Sequence, residues 1–324
     1  MRQIKSFSFC YNCLMIITVT LNPSIDRTMR VSGFRAGSVC RGEVLMVCPG
    51  GKGINVSRAV LHLGGNSVAL GIAGGSTGRV IVNMLREEGI NLKYVELDQE
   101  NRNCYGIIDE KNAVETVINE LGPVVSPDEL RAFVALYNKT VKEKSLVVLS
   151  GSMARGIDDG FYGELINIAH QKGASVILDA SGVALARGIE AVPDILKINV
   201  TELKTLTKGS VYNNGETAKE IERLLCLGIS KVVITQGRDD LLAFTKDEAW
   251  RVTPPQVAAL NSWGSGDCVV AGMSVCLEKN TPFQQTMRYA AASGTVNTLS
   301  YGSGFINSAK VNELANSVIT KRLR

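Results

Sequence analysis

"ASVILDASGVALARGIEAVPDILKIN", residues 174–199, decides the fold. Two apolar runs, 174–180 and 194–199, flank a segment whose apolar residues recur at helical spacing. Short aliphatic runs without polar alternation read as strands buried on both faces, and two of them joined by a helix pair in parallel. The pattern repeats outward in both directions. "LMIITVTL" (14–21), "SVALGIA" (67–73), "SLVVLSG" (145–151) and "KVVITQG" (231–237) read as further strands with helix-period segments between them. The clearest helix starts at Ser126-Pro-Asp-Glu129, a capping box with Pro at the first helical position, and runs on to Glu143. Alternation of this kind predicts an α/β fold, a mostly parallel sheet with helices on both faces and ligands at the carboxyl ends of its strands.

Two segments break the alternation. Residues 27–48 and 103–120 read as short antiparallel strands, the second a hairpin turning near Asp109-Glu-Lys-Asn112, and neither carries a crossover helix. They are expected to form a small sheet standing off the main one, a lid over the site or a decorative insertion. The division is then an N-terminal extension (1–14), an α/β core (15–26, 49–102 and 121–324) and a β lid (27–48 and 103–120). The chain of 324 residues, 45% hydrophobic and 20% charged, has the composition of a globular protein able to bury a large core. A net charge of +4 with interleaved signs does not point to nucleic acid. The basic start and apolar run of residues 1–21 imitate a signal peptide weakly. The stronger reading makes 14–21 the first strand and Met15 the start of the domain, and no later segment approaches a membrane span. Most of the eight cysteines lie in apolar runs, as reduced thiols do, and Cys10-Tyr-Asn-Cys13 has no second pair to complete a zinc site. A cytoplasmic protein is expected.

Two glycine clusters carry the chemistry. "NSWGSGDCVVAG" (261–272) opens a helix with Gly264, Ser265 and Gly266, whose amides can converge on an anion, and places Asp267 beside it. Asp267 reads equally as a helix cap and as a general base taking a proton from an attacking hydroxyl. "PGGKGINVSRAV" (49–60) opens another helix with Lys52 in the turn, but it is neither a P-loop nor a dinucleotide fingerprint. "AGGSTGR" (73–79) comes nearer to that fingerprint and is the one hook for a nicotinamide-dependent oxidoreductase. Asp26, after the first strand, suits two sugar hydroxyls or a turn. Asn199 and Glu202 suit either a hydrated magnesium ion or an N-cap pair.

The order "NPSID", "GGKGINVSRAVLHLGG", "KINVTE", "NSWGSGDCVVAGM" resembles the ribokinase-like (PfkB) carbohydrate kinases over nearly the whole chain from Met15. Within that family the similarity is greatest to kinases of hexose phosphates, those acting on fructose 1-phosphate or tagatose 6-phosphate. The resemblance implies a three-layer sandwich and ATP-dependent phosphoryl transfer to a sugar phosphate. Asp267 would be the base, and the amides of Gly264, Ser265, Gly266 and Asp267 the anion hole. Asp26, Gly51 and Asn55 would hold the sugar, and Lys52, Arg102 and Ser152 its phosphate. Asn199 and Glu202 would serve Mg2+ through water, while Thr235 and Gly237 line the ATP site. The lid would pair between subunits as a homodimer.

Four residues depart from the family pattern: Ile198 and Ala154 stand where proline is usual, Asp240 where a second glycine is usual, and Trp263 where a smaller residue is usual. Asp240 is expected to tolerate a left-handed backbone, and Trp263 to crowd or stack on a ligand. A sugar-phosphate sensor without turnover and an oxidoreductase are the competing readings.

Overall fold

Each apolar run read as a strand is one in the structure, a computed structural model that describes residues 14–207 and 214–324. In chain order the elements are β1 (Ile16–Thr20), β2 (Ser24–Val31), β3 (Gly42–Gly50), α1 (Lys52–His62), β4 (Ser67–Gly74), α2 (Gly75–Glu87), β5 (Asn91–Leu97), β6 (Arg102–Asp109) and β7 (Val114–Asn119). There follow α3 (Pro127–Thr140), β8 (Leu146–Ser150), α4 (Phe161–Gln171), β9 (Ser175–Asp179), α5 (Gly182–Glu190), β10 (Ile195–Asn199), α6 (Val200–Leu206) and α7 (Asn214–Cys226). The last are β11 (Lys231–Thr235), β12 (Leu241–Phe244), β13 (Ala249–Thr253), α8 (Ser265–Glu278), α9 (Phe283–Asn297), α10 (Ser308–Ser317) and β14 (Ile319–Arg322). The Cys10–Cys13 pair and nearly all of the N-terminal extension lie outside the described residues.

The main sheet runs β14-β13-β12-β11-β10-β9-β8-β1-β4-β5. From β5 to β11 every pairing is parallel, and β12, β13 and β14 close one edge as antiparallel strands. Strand alternation splits the core in two. Ile17 and Val19 of β1 join Phe133, Tyr137 and Ile166 beneath α3 to α7. Ile16, on the opposite face, packs with Val56, Val270, Ala290 and Val311 from α1, α8, α9 and α10. The capping box at Ser126 forms as read, with the Ser126 hydroxyl and the Glu129 carboxylate each taking the other's backbone N–H. The helix it opens stops at Thr140 because Val141 turns extended.

The chain builds outward from β1 to β4 and β5 on one side, then from β8 on the other. A crevice opens at such a switch point, outside the carboxyl ends of the strands. The small sheet, ordered β3-β2-β6-β7, overhangs it. Its two antiparallel hairpins, β2–β3 and β6–β7, join through a parallel pairing of β2 with β6. It reaches further into the chain than the sequence division allowed: Asp26, Pro49, Gly50 and Arg102, counted with the core, all lie in its strands. Buried Asp109 ties the hairpins together by accepting the backbone N–H groups of Gly33 and Phe34, each at 2.8 Å.

Candidate active site

A crevice of about 1140 Å³ lies between the carboxyl ends of the parallel strands and the small sheet. Its walls include Asp26, Gly51, Lys52, Asn55, Arg102, Ser152, Asn199, Thr235, Gly237, Gly264, Ser265, Gly266 and Asp267. Of the residues proposed from sequence, only Glu202 stands outside the lining.

The start of α8 explains its glycines. Gly264, the N-cap, is left-handed (φ 76°), and Ser303 leaves no room for a Cβ there. No side chain caps the helix, so the first amides keep the donors that a helix start leaves unpaired. Asp267 is therefore not a cap. It is the third helical residue, 4% exposed, and its Oδ2 accepts a hydrogen bond from Asn55 Nδ2 at 2.8 Å. Burial pushes its carboxyl up to about 6; the neighbouring Asp179 adds to this, while Lys52, Asn55 and Lys197 oppose it. A carboxylate poised near neutrality, next to free amides, is suited to take a proton while the amides hold a phosphoryl group.

Beneath Asp267 lies a chain of buried charge. Asp179 is fully buried, and its Oδ1 accepts from Lys52 Nζ at 3.0 Å and Lys197 Nζ at 3.1 Å. Ser150 Oγ donates to its other oxygen at 3.3 Å. Burial alone would raise Asp179, but the two ammonium groups hold it below its ordinary value. Burial would likewise lower Lys52, yet Asp179, Asp267 and Glu202 outweigh it and push the ammonium up. Lys52 thus stays charged, as a buried charge does when it has a partner.

On the side toward the small sheet, Asp26 lies in register between Cys48 of β3 and Cys104 of β6. Its Oδ1 accepts from Ser24 Oγ at 2.6 Å, and burial raises its carboxyl against the pull of Ser24, Arg102 and Arg58. Arg102 donates from Nε to Asn22 O at 3.2 Å and from Nη1 to Glu120 O at 3.1 Å. Three contacts seat the small sheet on the loop before α8 and the loop after α9. Ser262 Oγ donates to Glu115 at 2.8 Å, Thr28 Oγ1 donates to Tyr301 O at 3.2 Å, and the Trp263 ring fills the space a side chain on Gly106 would need. Trp263 therefore stacks on a strand of the small sheet.

At the other end of the crevice, Asn199 and Glu202 form a reciprocal capping box on α6, at 2.7 and 2.8 Å. The N-cap alternative is thus realised, and no group of three metal-ligating side chains exists among the described residues. Thr235 Oγ1 donates to Ile198 O at 3.5 Å, and Gly237 is left-handed (φ 65°). Asp240 is not left-handed, so the tolerance invoked for it is not needed. Instead it accepts from Thr253 Oγ1 at 2.5 Å and pairs with Arg251 at 3.4 Å. Ala154 N–H donates to Leu21 O at 3.1 Å, a bond proline cannot make. The "AGGSTGR" turn is already filled by a protein anion: Glu100 accepts the N–H groups of Ser76 and Thr77 and is held down to about 2 by hydrogen bonds from Thr77 and Ser76. That removes the hook for a nicotinamide cofactor.

Asp179, Lys197 and Arg58 are the polar residues that motif reading missed. Their signal was an ionisable residue inside an apolar element, which folding tolerates only when a partner is buried with it.

A family model for pfkB family carbohydrate kinases matches residues 19–310. The chain is 33% identical over 286 residues to 1-phosphofructokinase of Bacillus subtilis (strain 168), covering 88% of this chain and 93% of the relative. The structure of Escherichia coli phosphofructokinase-2 in complex with substrates and products superposes with a TM-score of 0.89 at 26% identity, covering 94% of this chain and 99% of that one. A Thermotoga maritima structure described as a possible 1-phosphofructokinase gives a TM-score of 0.85 at 27% identity, over 96% and 100% of the two chains.

Proposed function

The chain belongs to the pfkB family of carbohydrate kinases and is an ATP-dependent sugar kinase, and we propose that it converts fructose 1-phosphate to fructose 1,6-bisphosphate. The observation that carries this reading is Asp267, buried beside the uncapped amides of α8 and facing a crevice that Lys52 and Arg102 also line. The similarity to a curated 1-phosphofructokinase favours fructose 1-phosphate.

In this reading the acceptor hydroxyl gives its proton to Asp267 as its oxygen bonds to the γ-phosphorus of ATP. The bond to ADP breaks, and the amides from Gly264 to Asp267 hold the transferring group. Asp26, Gly51 and Asn55 orient the sugar. Arg102 and Ser152 hold its phosphate together with Lys52, whose ammonium also reaches toward the base. ATP lies along Asn199, Thr235 and Gly237. The carboxamide and carboxylate of Asn199 and Glu202 are engaged in capping, which suits contact to Mg2+ through water; the ion would shield the phosphate charge. The small sheet acts as a lid.

Val44 and Ile118, on the face of the lid turned away from the crevice, are about half exposed, and we assign this apolar surface to a second copy of the chain. No helix among the described residues is long and apolar enough to cross a membrane. The described cysteines are all free, which supports a reducing, cytoplasmic setting. Tagatose 6-phosphate is the second reading, favoured by the Arg102-Asn-Cys104 stretch.

The test is ADP release from Mg-ATP with fructose 1-phosphate, tagatose 6-phosphate and fructose 6-phosphate, with Asp267→Asn as control. Preference for fructose 1-phosphate that vanishes in the control is the expected result. Preference for tagatose 6-phosphate installs the second reading, and turnover retained by Asp267→Asn overturns the base assignment.

A further inference from the structure

We infer that Arg58, which does not line the crevice, is a positioning residue that orients the base through Asn55. Arg58 is 1% exposed and lies one helical turn after Asn55 on α1. Its Nη1 donates to Asn55 Oδ1 at 3.2 Å and to Ser303 O at 2.9 Å. Its Nη2 donates to Pro49 O at 2.8 Å, Glu88 takes Nε at 2.6 Å, and the guanidinium lies 4.6 Å over the Phe305 ring. The group is thus immobilised by the glycine turn before α1, by the loop that abuts Gly264, and by a counter-charge.

A carboxamide has one accepting and one donating end of nearly equal size, so its neighbours decide which way it faces. A guanidinium has only donors. It therefore compels Asn55 to turn its oxygen inward to Arg58 and its NH2 outward to Asp267 Oδ2, 2.8 Å away. Ionised Asp267 has only acceptors and satisfies that NH2. Protonated Asp267 would gain from facing an amide oxygen, and Arg58 denies it one. The relay favours the form of Asp267 that can accept a proton, and it fixes the carboxylate rotamer toward the crevice. Without Arg58 the amide is free to reverse.

The inference rests on Asp267 being the base, and its test separates the two. The pH dependence of kcat is measured for wild type, Arg58→Lys and Arg58→Met after their melting curves establish that they fold. A donor lost from the charged form raises the acid limb of kcat, here by roughly one to two pH units. The Michaelis constant for ATP is expected to stay within about twofold, since Arg58 touches no part of the nucleotide end. A folded Arg58 variant whose acid limb coincides with the wild type overturns the relay. A purely structural role would lower kcat without moving the limb.

The second measurement uses the wild type itself, labelled with 15N at asparagine side chains. The Asn55 NH2 resonance should titrate with Asp267 and lose that titration in Asp267→Asn. An NH2 resonance indifferent to pH between 5 and 8 also overturns the relay, even where no Arg58 variant folds. If it titrates while Asp267→Asn retains turnover, the relay stands and the base assignment falls.

Discussion

Replacing Asp267 by asparagine should abolish turnover and make the protein more stable. In the folded chain burial raises this carboxyl from 3.8 to about 6. A group whose folded value lies above its unfolded value contributes stability below the unfolded value and loses it as pH rises through the folded one. Between 3.8 and about 6 the native state therefore gives up about 3 kcal/mol, at 1.36 kcal/mol for each unit. The introduced carboxamide keeps an oxygen for Asn55 and carries no charge, so it is free of that cost at every pH. The variant should exceed the wild type by about 3 kcal/mol at pH 8 and by only about 1 kcal/mol at pH 4.5, where most of the wild-type carboxyl already holds its proton. Urea unfolding at the two pH values, without nucleotide, reads both differences, and the pH 8 gain corresponds to a rise in Tm of roughly 5 °C. A variant less stable than the wild type at pH 8, or one whose advantage is the same at both pH values, would refute the view of Asp267 as a carboxylate held charged against its surroundings. Stability given up at a site in return for chemistry is the expected trade-off.

The wild-type kcat should fall about tenfold for each pH unit below the Asp267 value, and Lys52→Met should move this limb upward because a positive charge beside the carboxylate is lost. The same variant should raise the Michaelis constant for the sugar phosphate more than that for ATP; equal effects, with the limb unmoved, would take Lys52 out of both roles. Gly106→Val should lower kcat/KM by about 100-fold by driving the Trp263 ring off the lid strand, and Trp263→Ala in the same chain should restore part of the loss. No recovery in the double variant would mean that the lid is seated by other contacts. The proposed pairing through the lid predicts a dimer for the wild type and a monomer for Ile118→Asp in light scattering, whereas equal masses for the two would refute it.

The main sheet was legible because strands buried on both faces are mostly aliphatic, as Ile16-Ile17 of β1, Leu146 to Leu149 of β8 and Val176 to Leu178 of β9 are. The small sheet was legible as two stretches of short antiparallel strands, the second a hairpin, but not the parallel pairing of β2 with β6, since nothing in one strand names a neighbour so distant in the chain. The site divided in the same way. Glycines at the start of α8 announce themselves locally, because a left-handed cap and open amides are properties of adjacent residues. The capping box of Asn199 and Glu202 was legible too, because its two partners lie three residues apart. Asn55 and Asp267, which touch, are separated by 212 positions, and Lys52 and Asp179 by 127. Such pairs leave no spacing to recognise. What each leaves is a local anomaly: Lys197 is an ammonium in the centre of a buried strand, Asp179 a carboxylate at the end of another, and Arg58 a guanidinium among the apolar residues of α1. A buried ionisable group demands a buried partner, so three such anomalies require at least one converging polar cluster. In this fold the carboxyl ends of β9 and β10 and the first turn of α1 meet only at the crevice. Asp179 and Lys197 therefore mark the floor beneath Asp267, while Arg58 finds its partner in Glu88 and reaches Asp267 through Asn55.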